Sequence, residues 1–123
     1  MPGDIRQIEP EDDAIQEEWL RETDEPDIGT VSAARVDEIG GWLVAIWTME
    51  AVRSGDPLES ELRRRVTTAL RSVRGVTSAG EHDNEHWFVT GNTSGTALLQ
   101  AAAQVVDDLA DQIRAYISRL DGS

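Results

Sequence analysis

Residues 42–49 read Trp-Leu-Val-Ala-Ile-Trp-Thr-Met. With the two-residue period of a strand, one face carries Trp42, Val44 and Ile46, and the other carries Leu43, Ala45, Trp47 and Met49. A segment apolar on both faces and rich in β-branched and aromatic side chains belongs in the middle of a sheet, covered on each side. The neighbouring residues supply the rest of such a unit. Residues 30–38 alternate as a strand, Ile39-Gly40-Gly41 reads as a turn, and Ser54-Gly55-Asp56-Pro57 breaks the central strand and opens a helix. Asp56 suits the N-cap, Pro57 the first helical position, and Glu59 gives a capping-box-like spacing. Leu58, Leu62, Val66, Ala69, Leu70 and Val73 then recur at helical spacing as one apolar stripe, and Gly75 ends the helix.

The same pattern returns further on. "GWLVAI" at Gly41 is answered 45 residues later by "HWFVTG" at His86, and "VSAA" at Val31 by "VTSA" at Val76. Residues 76–82 and 85–91 read as a hairpin turning at Asp83-Asn84. A long helix follows from Ala97 to about Leu120, with Leu98, Ala102, Val105, Leu109, Ile113, Tyr116 and Leu120 on its apolar stripe. Asp107, Asp108, Asp111 and Arg114 mostly face water in this reading. The expected fold is α+β: two β-β-α units, residues 30–73 and 75–120, form a four-stranded antiparallel sheet. The units join through their second strands, in the order first, second, fourth, third, with both helices on one face. This is a permuted relative of the ferredoxin-like arrangement, an architectural analogy that implies no activity.

Charge divides the chain. There are 24 acidic residues against 11 basic ones, a net charge of −13, and every basic residue is Arg. Eleven of the acids lie in residues 1–29, against only Arg6 and Arg21. That composition reads as an acidic, largely flexible arm, with residues 1–8 and 24–29 mobile, a short helix within residues 10–22, and a single domain over residues 30–123. Ile15 and Trp19, one helical turn apart, and Leu20 form the arm's candidate docking surface. Nucleic acid and anionic membranes are disfavoured as partners by the net charge. No apolar run is long enough to cross a bilayer and no secretory leader is visible, so a cytoplasmic location is expected. Without cysteine there are no disulfides or thiolate sites.

The chemistry-bearing clusters are weak. Glu81, His82, Asp83, Glu85 and His86 resemble a metal cluster, but a two-residue turn at Asp83-Asn84 sets the two histidines on opposite faces, so no metal is expected. In "GNTSG", residues 91–95, the backbone could hold an anion at a helix start, yet Thr93 or Ser94 serving as an N-cap accounts for the motif. Arg63, Arg64, Arg65 and Arg71 form a basic helix face that could receive the acidic arm or an acidic partner. No nucleophile and base assemble into a catalytic set, and no cofactor is expected.

A four-stranded sheet with both helices on one face leaves its other face bare, and an apolar patch there asks for a cover, either a second copy of the chain or the N-terminal helix with Trp19 inserted. Trp42, Val44, Ile46, Trp47, Trp87 and Phe88 are the candidate partner or ligand surface. The expected function is that of a small acidic, non-enzymatic interaction protein, an adaptor, chaperone-like, inhibitory or assembly component. It would be a homodimer with a possible basic protein partner. The alternative is a small-ligand-binding domain with an aromatic pocket between dimerised sheets.

Overall fold

The computed structural model describes residues 5–22, 29–46, 56–82 and 86–122, with side chains to residue 119. Trp47, Met49, Arg53, Asp83, Asn84, Glu85 and the side chain of Leu120 lie outside the described residues, as do residues 1–4 and 24–28 of the expected mobile segments.

Six strands form one antiparallel sheet: β1 (Ile5–Ile8), β2 (Glu17–Arg21), β3 (Val31–Val36), β4 (Gly41–Ile46), β5 (Val76–Glu81) and β6 (His86–Gly91). Their order is β1-β2-β3-β4-β6-β5. Two helices accompany them, α1 (Pro57–Arg71) and α2 (Gly95–Gly122). The double-sided apolar segment is indeed central: β4 pairs with β3 on one side and with β6 on the other, setting Val44 opposite Ala33 and Trp87.

The sheet has six strands rather than four because the acidic N-terminal segment adds an antiparallel hairpin to the β3 edge, and the sheet therefore runs through both sides of residue 29. The short helix expected within residues 10–22 does not form. The Asp12 carboxylate accepts the Ala14 N–H at 2.9 Å and its carbonyl accepts that of Ile15 at 3.0 Å, so the chain turns. The N–H of Gln16 then donates to the carbonyl of Arg35 at 2.9 Å, and the ladder with β3 begins. Competition from a local carboxylate for backbone donors is what disfavours helix here. Residues 5–8, expected to be mobile, are paired as β1.

Both helices start at side-chain caps. The Asp56 carboxylate accepts the Leu58 N–H at 2.8 Å with Pro57 in the first turn, and the Ser94 hydroxyl accepts the Ala97 N–H at 3.2 Å. Their apolar stripes meet each other and one face of the sheet. Leu62, Val66 and Leu70 of α1 and Leu98, Leu99, Ala102, Val106, Leu109 and Ile113 of α2 pack with Val31, Ala33, Trp42, Val44, Ile46, Ala79, Trp87 and Val89 in a single cluster. The one polar group that Trp87 brings into this core is satisfied, its indole N–H donating to the Thr67 hydroxyl at 2.9 Å. No described helix is long and apolar enough to cross a membrane.

One charged group also enters. Arg21 is 3% exposed, and its Nη2 donates to both Asp107 carboxylate oxygens, at 2.8 and 2.9 Å, while Nη1 reaches the Gly29 carbonyl at 3.3 Å. Asp107 faces water as expected, its side chain 43% exposed, and through Arg21 it also fastens β2 to α2.

Candidate functional site

The helices settle which way each strand residue points. Trp42, Val44, Ile46 and Trp87, four residues of the expected partner surface, are at most 4% exposed beneath α1 and α2, and cannot present a surface. Of that set only Phe88 lies on the helix-free face, and Trp47 is outside the described residues. An aromatic pocket between sheets would need these rings outside the core, and they are inside it.

The helix-free face is defined by the register. One row across the sheet runs Ile8, Glu18, Ala34, Leu43, Phe88 and Gly80, and the next runs Arg6, Leu20, Ser32, Ala45 and His86. Its centre is small: Ser32, Ala34 and Ala45 are buried between larger half-buried neighbours, Leu20, Leu43 and Phe88. Polar groups are placed at its two sides. Arg6 and Glu18 stand on β1 and β2, and the histidines stand at the far side. The His82 N–H donates to the His86 carbonyl at 2.9 Å, so the two histidines oppose each other across the hairpin. This corrects the expectation that they diverge. Three residues, not two, separate the last paired positions. Among the described residues no group of three or more His, Asp and Glu is gathered as a metal site would require.

Burial pushes the Glu18 carboxyl above its ordinary range, and the nearby Glu11 adds to the effect. The folded protein therefore holds a proton on Glu18 more tightly than the unfolded chain does, and stability at this group rises as pH falls through that window. Glu18→Gln is expected to raise the melting temperature at neutral pH. The gain should fade once acid protonates Glu18 in the parent, and thermal melts across the acid range check this.

The remaining expected docking residues separate. Trp19 points to the helix side and packs on the core, Leu20 points to the helix-free face, and Ile15 is half-buried in the β1–β2 turn. The basic helix face is internally matched. Arg63 lies 3.7 Å from both Glu59 and Glu81, Arg64 and Arg65 share Glu61, and the Arg71 Nε donates to the Ala79 carbonyl at 2.9 Å. Hydrogen bonds from Arg64 and then Arg65 hold the Glu61 carboxyl below its ordinary range. The described part of the acidic segment lies in the sheet, its Arg6 paired with its own Glu22.

A second feature went unseen in the sequence. On the helix side, at the end of the sheet where α2 begins, Gln16, Glu17, Arg35, Asp37, Trp42, Gly91, Asn92 and Thr93 line an open cleft of about 530 Å³. Arg35 and Trp42 are a cross-strand pair, with the guanidinium carbon 6.0 Å from the ring centre, and Glu17 opposes Arg35 from β2. The start of α2 rests on the aromatic floor. A methyl at Gly95 would come within 2.5 Å of Trp19 and 2.8 Å of Trp42, so only glycine lets the helix approach this closely. The available signal was Arg35 itself, the one charge in an otherwise buried strand.

Comparison with protein-family models, with curated proteins and with solved structures gives no significant match for this chain.

Proposed function

We propose that this chain is a small, non-enzymatic interaction protein that works as a homodimer, the helix-free face of one sheet packing on that of a second copy. The observation that carries the reading is the make-up of that face: a flat centre of Ser32, Ala34 and Ala45 ringed by Leu20, Leu43 and Phe88. Small central side chains let two sheets approach to the roughly 10 Å separation of a packed sandwich, and the larger apolar ones interdigitate around them. A second copy turned about an axis parallel to the strands keeps the rows in step and reverses the strand order, so that β2 of one copy lies over β6 of the other. The high net negative charge suits such a dimer to a basic partner protein, met by electrostatic steering.

Sedimentation equilibrium at micromolar concentration is expected to give twice the 13.5 kDa chain mass. Leu43→Asp and Phe88→Asp should each give monomers with unchanged circular dichroism. A monomeric parent protein, or dimers that survive both substitutions, would sink this reading.

A further inference from the structure

Two buried polar atoms belong to residues that line the cleft at the start of α2. Among the described residues, neither the Trp42 indole N–H nor the Thr93 hydroxyl has a hydrogen-bond partner, and Trp42 is only 4% exposed. Both residues line the cleft. A buried donor left unpaired is costly, and an indole N–H can only donate, so it calls for an acceptor from outside the described residues. The rim repeats that demand and adds its opposite. Arg35 commits its Nε to Asp37 at 2.9 Å, while its terminal nitrogens make no hydrogen bond among the described residues. Glu17 accepts the Trp19 indole N–H through Oε1, and Asp37 meets Arg35 through Oδ1, which among the described residues leaves the second oxygen of each carboxylate open. The Gln16 amide is oriented by its Oε1 accepting the Asp37 backbone N–H at 2.7 Å, and its amino group makes no hydrogen bond among the described residues.

We infer that this cleft binds a small zwitterion of the α-amino acid class. The ligand carboxylate engages the Arg35 terminal nitrogens, Trp42 and Thr93, close to the positive end of the 28-residue helix α2. The ligand ammonium engages Glu17 and Asp37. A plain anion meets only half of these groups and must also enter the field of a chain with net charge −13, whereas a zwitterion carries no net charge into that field. A plain cation leaves Arg35 and the Trp42 N–H unanswered. The cleft lies on the opposite side of the sheet from the proposed dimer face, so this inference stands independently of that reading.

The test uses the full chain with each L-α-amino acid in turn, followed by thermal shift and by the indole N–H resonances in a proton–nitrogen correlation spectrum. At least one amino acid is expected to raise the melting temperature and to move the Trp42 indole signal. Its deamino and decarboxy analogues, such as propionate and ethylamine for alanine, should each bind about tenfold more weakly or worse. Arg35→Gln should weaken binding by a similar factor, and Thr93→Val should weaken it less, both with near-ultraviolet circular dichroism unchanged. The inference is overturned if no amino acid moves the Trp42 signal. It is equally overturned if a carboxylate lacking the amino group binds as tightly as the amino acid, or if binding is unchanged in both variants.

Discussion

Asp107→Ala is expected to lower stability by about 3–5 kcal/mol, the cost of leaving a buried charge without its partner. The Arg21 side chain is 4% exposed, and with Asp107 gone its guanidinium keeps, among the described residues, only the long contact to the Gly29 carbonyl. The reciprocal change is milder, because the Asp107 side chain is 43% exposed and its carboxylate stays solvated when Arg21 is replaced. Arg21→Met, which keeps much of the side-chain volume, should therefore cost less than about 2 kcal/mol. Since small domains are stable by only about 5–15 kcal/mol, the difference is easily read from urea midpoints at constant m-value. Equal losses for the two variants would show that Arg21 reaches solvent and that β2 is not held to α2 through this pair.

Gly91→Ala is the second substitution with a large effect. Gly91 has φ +132°, a region that side chains rarely adopt, and a methyl there would stand 2.3 Å from the Gly75 carbonyl oxygen, 2.7 Å from the Thr77 nitrogen and 2.8 Å from the Val76 Cα. Every one of those atoms is backbone, so no rotamer change relieves the collision. Gly75, at φ +94°, lies just before the paired Val76 and accepts the Asn92 N–H at 2.9 Å, which holds the two segments together. Relief requires β5 to move off β6, at a cost of about 3 kcal/mol or more from backbone strain and crowding together. Gly80 on the same edge strand has nothing within 4 Å of its Cβ position, and Gly80→Ala should cost under about 1 kcal/mol. Thermal and urea melts of the two variants check the contrast, which fails if both behave alike.

What the sequence revealed tracks where local pattern and tertiary context agree. The strands β3 to β6, both helices and the central place of β4 follow from alternation, capping residues and apolar stripes, and the order β3-β4-β6-β5 is the one those patterns imply. The outer hairpin was hidden by its charge. In "EEWLR" the inward pair is Trp19 and Arg21, and an arginine becomes an inward residue only through a carboxylate 86 positions away. The spacing of Ile15 and Trp19 fits a helix equally well, and only the turn made by Asp12 decides between them. The covered face of β4 was undetermined because both of its faces are apolar. The cleft was hidden for a related reason: Gln16 with Glu17, Arg35, and Asn92 come from three separate parts of the chain and share no motif.

The order of the strands also governs how the chain comes together in time. Four of the five ladders join strands adjacent in sequence, and only the β4–β6 ladder, which sets Val44 against Trp87, spans a helix and another strand. Hairpins of the local kind form in about 1–10 μs, whereas closing a distant pair must first overcome the entropy of the chain between. The β4–β6 seam is therefore the slow closure of this fold. Substitutions at Val44 or Trp87 are expected to slow folding, and those in the β1–β2 hairpin to speed unfolding, which the two arms of a chevron plot would read separately.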